Sequence, residues 1–188
     1  GSGCYLIGVL ENLEGNKYKY ITKENIDVSI ADPMDTYLKS VQMINWNESM
    51  APIIKAKALV SGTSDDMEKV RRIYNYMVAN IQYDNSKAGS LSKTYLPNIE
   101  TIYAAKKGIC YDFASMFAAM LRSVDVPAKL VKGYAEGVEG YHAWNEVYIN
   151  SLDKWVTIDT TNDAVIEAAG RDVQMIKEIG NYRKVNEY

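Results

Sequence analysis

Hydrophobic positions recur at helical spacing in one stretch of the chain. Met67, Val70, Ile73, Tyr74, Met77, Val78 and Ile81 fall on one stripe of a 3.6-residue period, and Thr63-Ser64-Asp65-Asp66 in front of them offers an N-cap and an acidic first turn. The pattern predicts an amphipathic helix over 64–80. A second helix begins near Cys110 and carries Phe113, Met116, Phe117, Met120, Leu121 and Val124, with Asp125 and Pro127 ending it. After Pro127 the period changes to two. Residues 129–134, 141–149 and 155–159 read as strands, separated by a Gly137/Gly140 turn and by the turn Asn150-Ser151-Leu152-Asp153-Lys154. Residues 4–10 and 17–30 read as an N-terminal hairpin around the turn-rich stretch 11–16, and Asp32-Pro33 breaks the chain after it. Residues 34–60 mix helical and irregular signals. Residues 84–100 read as a polar loop beside the site, and the tail 164–188 as a short helix around 172–179 followed by an extended piece. A helix followed by consecutive hairpin strands argues an α+β fold with an antiparallel sheet. The expected organisation is an N-terminal extension over 1–58 packed on a catalytic core with a C-terminal tail over 59–188.

Composition narrows the function classes. The 188 residues make one domain, or one domain with an appendage, and the net charge of -3 leaves no electrostatic footprint for nucleic acid. No run of eighteen apolar residues exists, so no membrane span is expected. Two cysteines and one histidine make a structural zinc site improbable, and no metal or cofactor is expected. Fifteen tyrosines against two phenylalanines suit groove walls and wet interfaces, with compositional drift an equal alternative. The opening Gly1-Ser2-Gly3 reads as tag residues or a cut end, consistent with a removed leader. Ser2-Gly3-Cys4 also matches the end of a lipoprotein leader, but a buried Cys4 is the preferred reading.

The chemistry concentrates on three residues. Nucleophilic cysteine catalysis needs a thiolate near neutral pH, and a helix N-terminus favours it. Cys110 sits at such a start, directly after Gly108-Ile109. An inert buried thiol is the competing reading. The base has no rival, because His142 is the single histidine. On an alternating strand it shares a face with Trp144, Glu146 and Tyr148. Asp159, at the end of the returning strand, comes within about two positions of His142 across the ladder, inside side-chain reach. Glu146 lies too far along the same strand, and Asp163 lies beyond the strand end. Asp112, just inside the helix, reads as a complement to its dipole rather than a reacting group.

With these residues in place, the stretch from about 95 to 163 resembles the transglutaminase-like core. The resemblance rests on Tyr95-Leu96-Pro97, Lys107-Gly108-Ile109-Cys110-Tyr111-Asp112-Phe113-Ala114, Val126-Pro127-Ala128, Gly133-Tyr134, His142-Ala143-Trp144-Asn145-Glu146-Val147 and Ile158-Asp159-Thr160-Thr161. The helix at 64–80 with Asn80-Ile81-Gln82-Tyr83-Asp84 fits the segment that precedes that core. The resemblance implies a papain-like fold and acyl transfer through a cysteine thioester, with Cys110 as nucleophile, His142 as general acid/base and Asp159 as its orienting partner. It further implies Tyr95 as a side-chain donor to the oxyanion, with Tyr111 and Trp144 in substrate contact. Packing is an equal role for Tyr95 and Trp144. Thr160 stands where many members have proline, and no counterpart of the animal enzymes' calcium-binding regions is present. The expected substrate is a protein or peptide, with cell-wall-associated material among the candidates. Hydrolysis is favoured over amine crosslinking, and a non-catalytic binding module is the third alternative. An exported or cell-surface location is expected, as for related bacterial domains, with the cytoplasm left open.

Overall fold

The computed structural model describes residues 1–92 and 94–188. These divide into two compact units, Gly1–Thr36 and Tyr37–Tyr188.

The first unit is a hairpin of two long strands, β1 (Gly3–Glu14) and β2 (Lys17–Val28), paired antiparallel around a turn in which Gly15 has φ +56°. A positive φ at the tip suits glycine, which has no Cβ to clash. The turn-rich stretch read at 11–16 is thus mostly strand, because the ladder continues to Glu14 and Lys17. Cys4 is exposed on β1, not buried as expected. An isolated two-stranded ribbon has no third layer to cover its side chains.

The second unit holds the core. Residues 37–58, grouped by sequence with the N-terminal segment, belong to this unit: Ile44, Ile53 and Ala56 are fully buried in its hydrophobic cluster. Helix α1 (Ala51–Leu59) starts with Pro52 in its first turn, where the missing N–H costs nothing. Helix α2 (Asp66–Asn80) starts where Asp65 caps it by accepting from Glu68 N at 2.7 Å. It buries the predicted stripe Val70, Ile73, Tyr74, Met77 and Val78. A two-residue strand β3 (Gln82–Tyr83), the short helix α3 (Asn85–Ala88) and helix α4 (Ile99–Ala105) follow. Strand β4 (Lys107–Gly108) then pairs parallel with β3 and delivers the chain to helix α5 (Cys110–Arg122). Helix α5 is the central rod of the unit, buried at every residue from Asp112 to Arg122. Arg122, two per cent exposed, is held by three backbone carbonyls, those of Ala128, Lys39 and Tyr188.

One face of a five-stranded antiparallel sheet covers α5. Its order is β8 (Ile176–Lys177), β7 (Lys154–Ile158), β6 (His142–Ile149), β5 (Ala128–Ala135), β9 (Tyr182–Glu187). The amide of Asn145 on β6 donates to Ala114 O of α5 at 2.9 Å, which fixes which face of β6 meets the helix. The same alternation that buries this face turns His142 and Trp144 to the other. Gly133 on β5 is required by packing, since a Cβ there would lie 2.1 Å from Arg183 O and 2.9 Å from the Trp144 ring. The tail differs from expectation. No helix spans 172–179; Ile176 and Lys177 instead extend the sheet against β7, and a helix absent from the sequence reading, α6 (Thr160–Ala168), directly follows β7.

Candidate active site

Three local devices build the start of α5. Gly108 passes so close to Asp112 that an added Cβ would lie 2.7 Å from the Asp112 Cβ. Asp112, the third residue of the helix, reaches back to accept the Ile109 N–H at 2.9 Å. The helix geometry leaves the N–H groups of its first residues without intrahelical partners, so the chain presents Cys110 where partial positive charge accumulates. Cys110 is partly exposed, while Gly108 and Ile109 before it are buried.

Asp159 serves two elements at once. One oxygen, Oδ1, caps α6 by accepting from Asn162 N at 3.0 Å; the other, Oδ2, lies 2.7 Å from His142 Nε2 and accepts from the Tyr182 hydroxyl at 3.2 Å. Asp159 is fully buried and His142 is four per cent exposed. With Nε2 turned to Asp159, Nδ1 is the nitrogen left for the sulfur. Burial disfavours the charged imidazole, but hydrogen bonds to Asp159 and Cys110 and the negative charge of both outweigh it and push His142 up to about 10. The structure therefore ties His142 to Asp159 and sets the Cys110 charge within electrostatic reach of the imidazole.

The remaining expected residues fall in different places. Trp144 is buried, its ring 6.3 Å from that of His142 and 5.1 Å from that of Tyr182, so it walls the His142–Asp159 bond from water. Tyr111 stands edge-on to Tyr95 with centroids 6.2 Å apart. Tyr95, expected as a donor to an oxyanion, gives its single hydroxyl proton to Asp112 and accepts from Lys87 Nζ at 2.6 Å. Lys87 also bridges to Asp112, which is fully buried. The Tyr95 hydroxyl is thus committed to Asp112, and Asp112, Lys87 and Tyr95 together tie the segments that carry Lys87 and Tyr95 to the start of α5. Asp112 accordingly does more than complement a dipole. Of the rival carboxylates, Glu146 pairs with Lys184 at 2.8 Å and Asp163 accepts from the Tyr74 hydroxyl at 2.8 Å and pairs with Lys177. Neither is directed at the imidazole.

Sequence reading missed Tyr182 and Tyr83. Tyr182 lies in the extended tail, and nothing local marks it; only the β5–β9 pairing lays it beside Asp159. Burial, and then the charge of Asp159, pushes its hydroxyl well above the usual tyrosine range, so it stays a proton donor. Tyr83 is raised by burial and by the nearby Cys110 charge. It lines a cavity of about 230 Å³ with Val138, Glu139, His142, Asn162 and Val165.

A cysteine at the start of a central helix, beside an imidazole–carboxylate pair on an antiparallel sheet, belongs to a class: an α+β fold of the papain-like, transglutaminase-like kind. Residues 55–160 match the family model of the transglutaminase-like superfamily, and the chain belongs to that superfamily. It is similar to the human kyphoscoliosis peptidase, 29% identical over 148 residues that cover 73% of this chain. The chain spans only 21% of that relative's length. Among solved structures it resembles a protein of Cytophaga hutchinsonii with a TM-score of 0.63 and 15% identity, over all of this chain and 70% of that one. It also resembles the periplasmic domain of TgpA from Pseudomonas aeruginosa, with a TM-score of 0.57 and 18% identity over 76% and 52% of the two chains. At such identities the likeness shows the fold alone. Among the described residues no helix is long and apolar enough to cross a membrane.

Proposed function

We propose that this chain is a cysteine-dependent acyl-transfer enzyme that acts on amide bonds of protein or peptide substrates through a thioester, with Cys110, His142 and Asp159 as its triad. One observation carries the reading: the buried imidazole is held at 2.7 Å by Asp159 through Nε2, and the Cys110 sulfur at a helix N-terminus lies within electrostatic reach of its ring. The thiolate is the nucleophilic form of a cysteine, and a charged imidazole and a helix mouth are the surroundings in which reactive cysteines sit.

The steps follow from those positions. The Cys110 sulfur bonds to the amide carbon, and the carbonyl electron pair moves to oxygen. The free N–H at the start of α5 is the donor available to that oxyanion. As the pair returns, the C–N bond breaks and His142 gives its Nδ1 proton to the leaving amine, leaving a thioester. Water then attacks, His142 takes its proton, and the carboxylic acid departs with the thiolate restored. Asp159 keeps the ring oriented and its charge balanced throughout. Hydrolysis is favoured over transfer to an amine because the sulfur is partly exposed, so water reaches the acyl group, and because the human relative carries the name of a peptidase. An exported or cell-surface location fits the likeness to a periplasmic domain.

Mass spectrometry of a glutamine-rich protein incubated with the enzyme and a labelled primary amine tests the reading. Chain cuts or deamidation without label are the expected results, and both should vanish in Cys110→Ala. Label incorporation would instead assign amine transfer. Absence of all three, together with ordinary thiol reactivity at Cys110, would leave a binding module.

A further inference from the structure

Lys132 has no role in the chemistry above, yet its ammonium stands at the site. It follows Leu130 on the face of β5 that meets α5, and its Nζ lies 3.4 Å from the centroid of the Tyr111 ring, one residue beyond the nucleophile. The Tyr188 ring lies on its other side at 5.5 Å. The neighbouring lysines of the same sheet are paired: Lys129 and Lys184 both bridge to Glu146 and Glu187. Among the described residues no carboxylate lies within salt-bridge distance of Lys132, and no hydrogen-bond acceptor takes its protons. An ammonium carries three N–H donors, and a ring face engages only one side of it. Lys132 is partly buried, so its charge is held at some desolvation cost that only the rings and the sulfur offset. Burial lowers its proton affinity, and the Cys110 charge opposes that, which places the two groups in electrostatic reach.

The cavity beside His142 has a different lining: Tyr83, Val138 and Val165 with Glu139 and Asn162, and Lys132 is not part of it.

We infer that Lys132 is a specificity-determining residue that receives a substrate carboxylate next to the amide attacked by Cys110. The inference rests on the acyl-transfer reading for its context and deepens it by naming the substrate class: a peptide with an acidic side chain or a free α-carboxylate beside the reactive bond. The carboxylate would replace water on the exposed N–H donors of an ammonium already aligned by two aromatic rings, forming a charge-assisted hydrogen bond.

Two alkylating agents of the same chemistry and different charge test this without a known substrate. Iodoacetate carries a carboxylate and iodoacetamide does not, and each forms one C–S bond with release of iodide. Their rates at Cys110 are read by mass spectrometry of the Cys110 peptide, so that Cys4 does not interfere. The iodoacetate-to-iodoacetamide rate ratio should fall roughly three- to fivefold in Lys132→Met and Lys132→Gln, and stay at the wild-type value in Lys132→Arg. A ratio unchanged in both neutral variants overturns the assignment. N-acetylglutamic α-amide and N-acetylglutamine then separate the two carboxylate sources, the first offering a side-chain carboxylate and the second an α-carboxylate. At least one should slow iodoacetamide at Cys110 in the wild type and lose that effect in Lys132→Met. Protection that survives the substitution, or protection by neither, also overturns it. The iodoacetamide rate by itself reports thiol activation and hence the acyl-transfer reading, whereas the ratio reports Lys132, so the two ideas fail separately.

Discussion

The hairpin β1–β2 and the strand pair β5–β6 have the same ladder chemistry and opposite fates. In the hairpin nearly every side chain is exposed, Ile21 by 65% and Leu13 by 60%, although it carries eleven large hydrophobic residues. In β5 and β6 most residues are buried, because α5 covers one face and the Tyr182 ring of the tail packs on Trp144 of the other. The two cysteines repeat the contrast. Cys4 stands exposed on the open ribbon, across from Asp27. Cys110 stands at a helix mouth beside a charged imidazole. The lesson is that strand pattern specifies pairing, while the layer laid over a strand specifies both its energetics and its chemistry.

The largest expected effect lies in the covered region. Cys110→Ala and His142→Ala should abolish acyl transfer, and Asp159→Asn should cost about 10³–10⁴-fold in kcat by misorienting the imidazole. Steady-state kinetics on whichever amide substrate the amine-labelling experiment selects provides the check, and an Asp159→Asn variant of near-normal rate would break the contrast at its centre. Next comes packing. Phe117 on α5 is fully buried, and Phe117→Ala should destabilise by about 3–5 kcal/mol in urea unfolding. Reactivity differs by less. At pH 6 iodoacetamide should modify Cys110 roughly 10–100 times faster than Cys4, and comparable rates would mean the imidazolium does not act on the sulfur.

The pH dependence of stability has a definite sign. His142 titrates near 6.5 when unfolded and is raised to about 10 in the fold, so its contribution is complete below pH 6.5 and disappears as pH rises through about 10. The difference in unfolding free energy between wild type and His142→Gln should shrink over that window, and a difference that grows with pH would refute the assigned charge. The smallest effect belongs to the hairpin. Ile21→Ala should change stability by no more than about 0.5 kcal/mol, and the amides of β1–β2 should exchange faster than those of β5–β6. A loss of several kcal/mol at Ile21 would show that the ribbon is covered in solution.

Much of the fold was legible from spacing. The α2 stripe, the apolar positions of α5 and the three strands after Pro127 follow from periods of 3.6 and 2, which belong to the backbone itself. Helix α6 was not legible, because Thr160-Thr161-Asn162-Asp163 favours turns by local chemistry and is drawn into a helix by the Asp159 cap. The tail helix expected at 172–179 fails for the complementary reason: Ile176 and Lys177 find an open edge at β7, and the sheet outcompetes a weak local preference. Within the site, the lone histidine and the glycine-preceded cysteine were visible at once. Tyr95 shows the limit, since its hydroxyl was free on paper and is committed to Asp112 in space.

The sequence by itself determined helices α2 and α5, the antiparallel order of the central strands and which cysteine, histidine and aspartate were candidates, because each depends on neighbours within a few residues or one tight turn. Only the tertiary structure decided that Tyr182 and Trp144 close over the His142–Asp159 pair, and that among the described residues no carboxylate pairs with Lys132. Those outcomes depend on distances between segments far apart in the chain, and such distances are set by how the layers stack rather than by any local period.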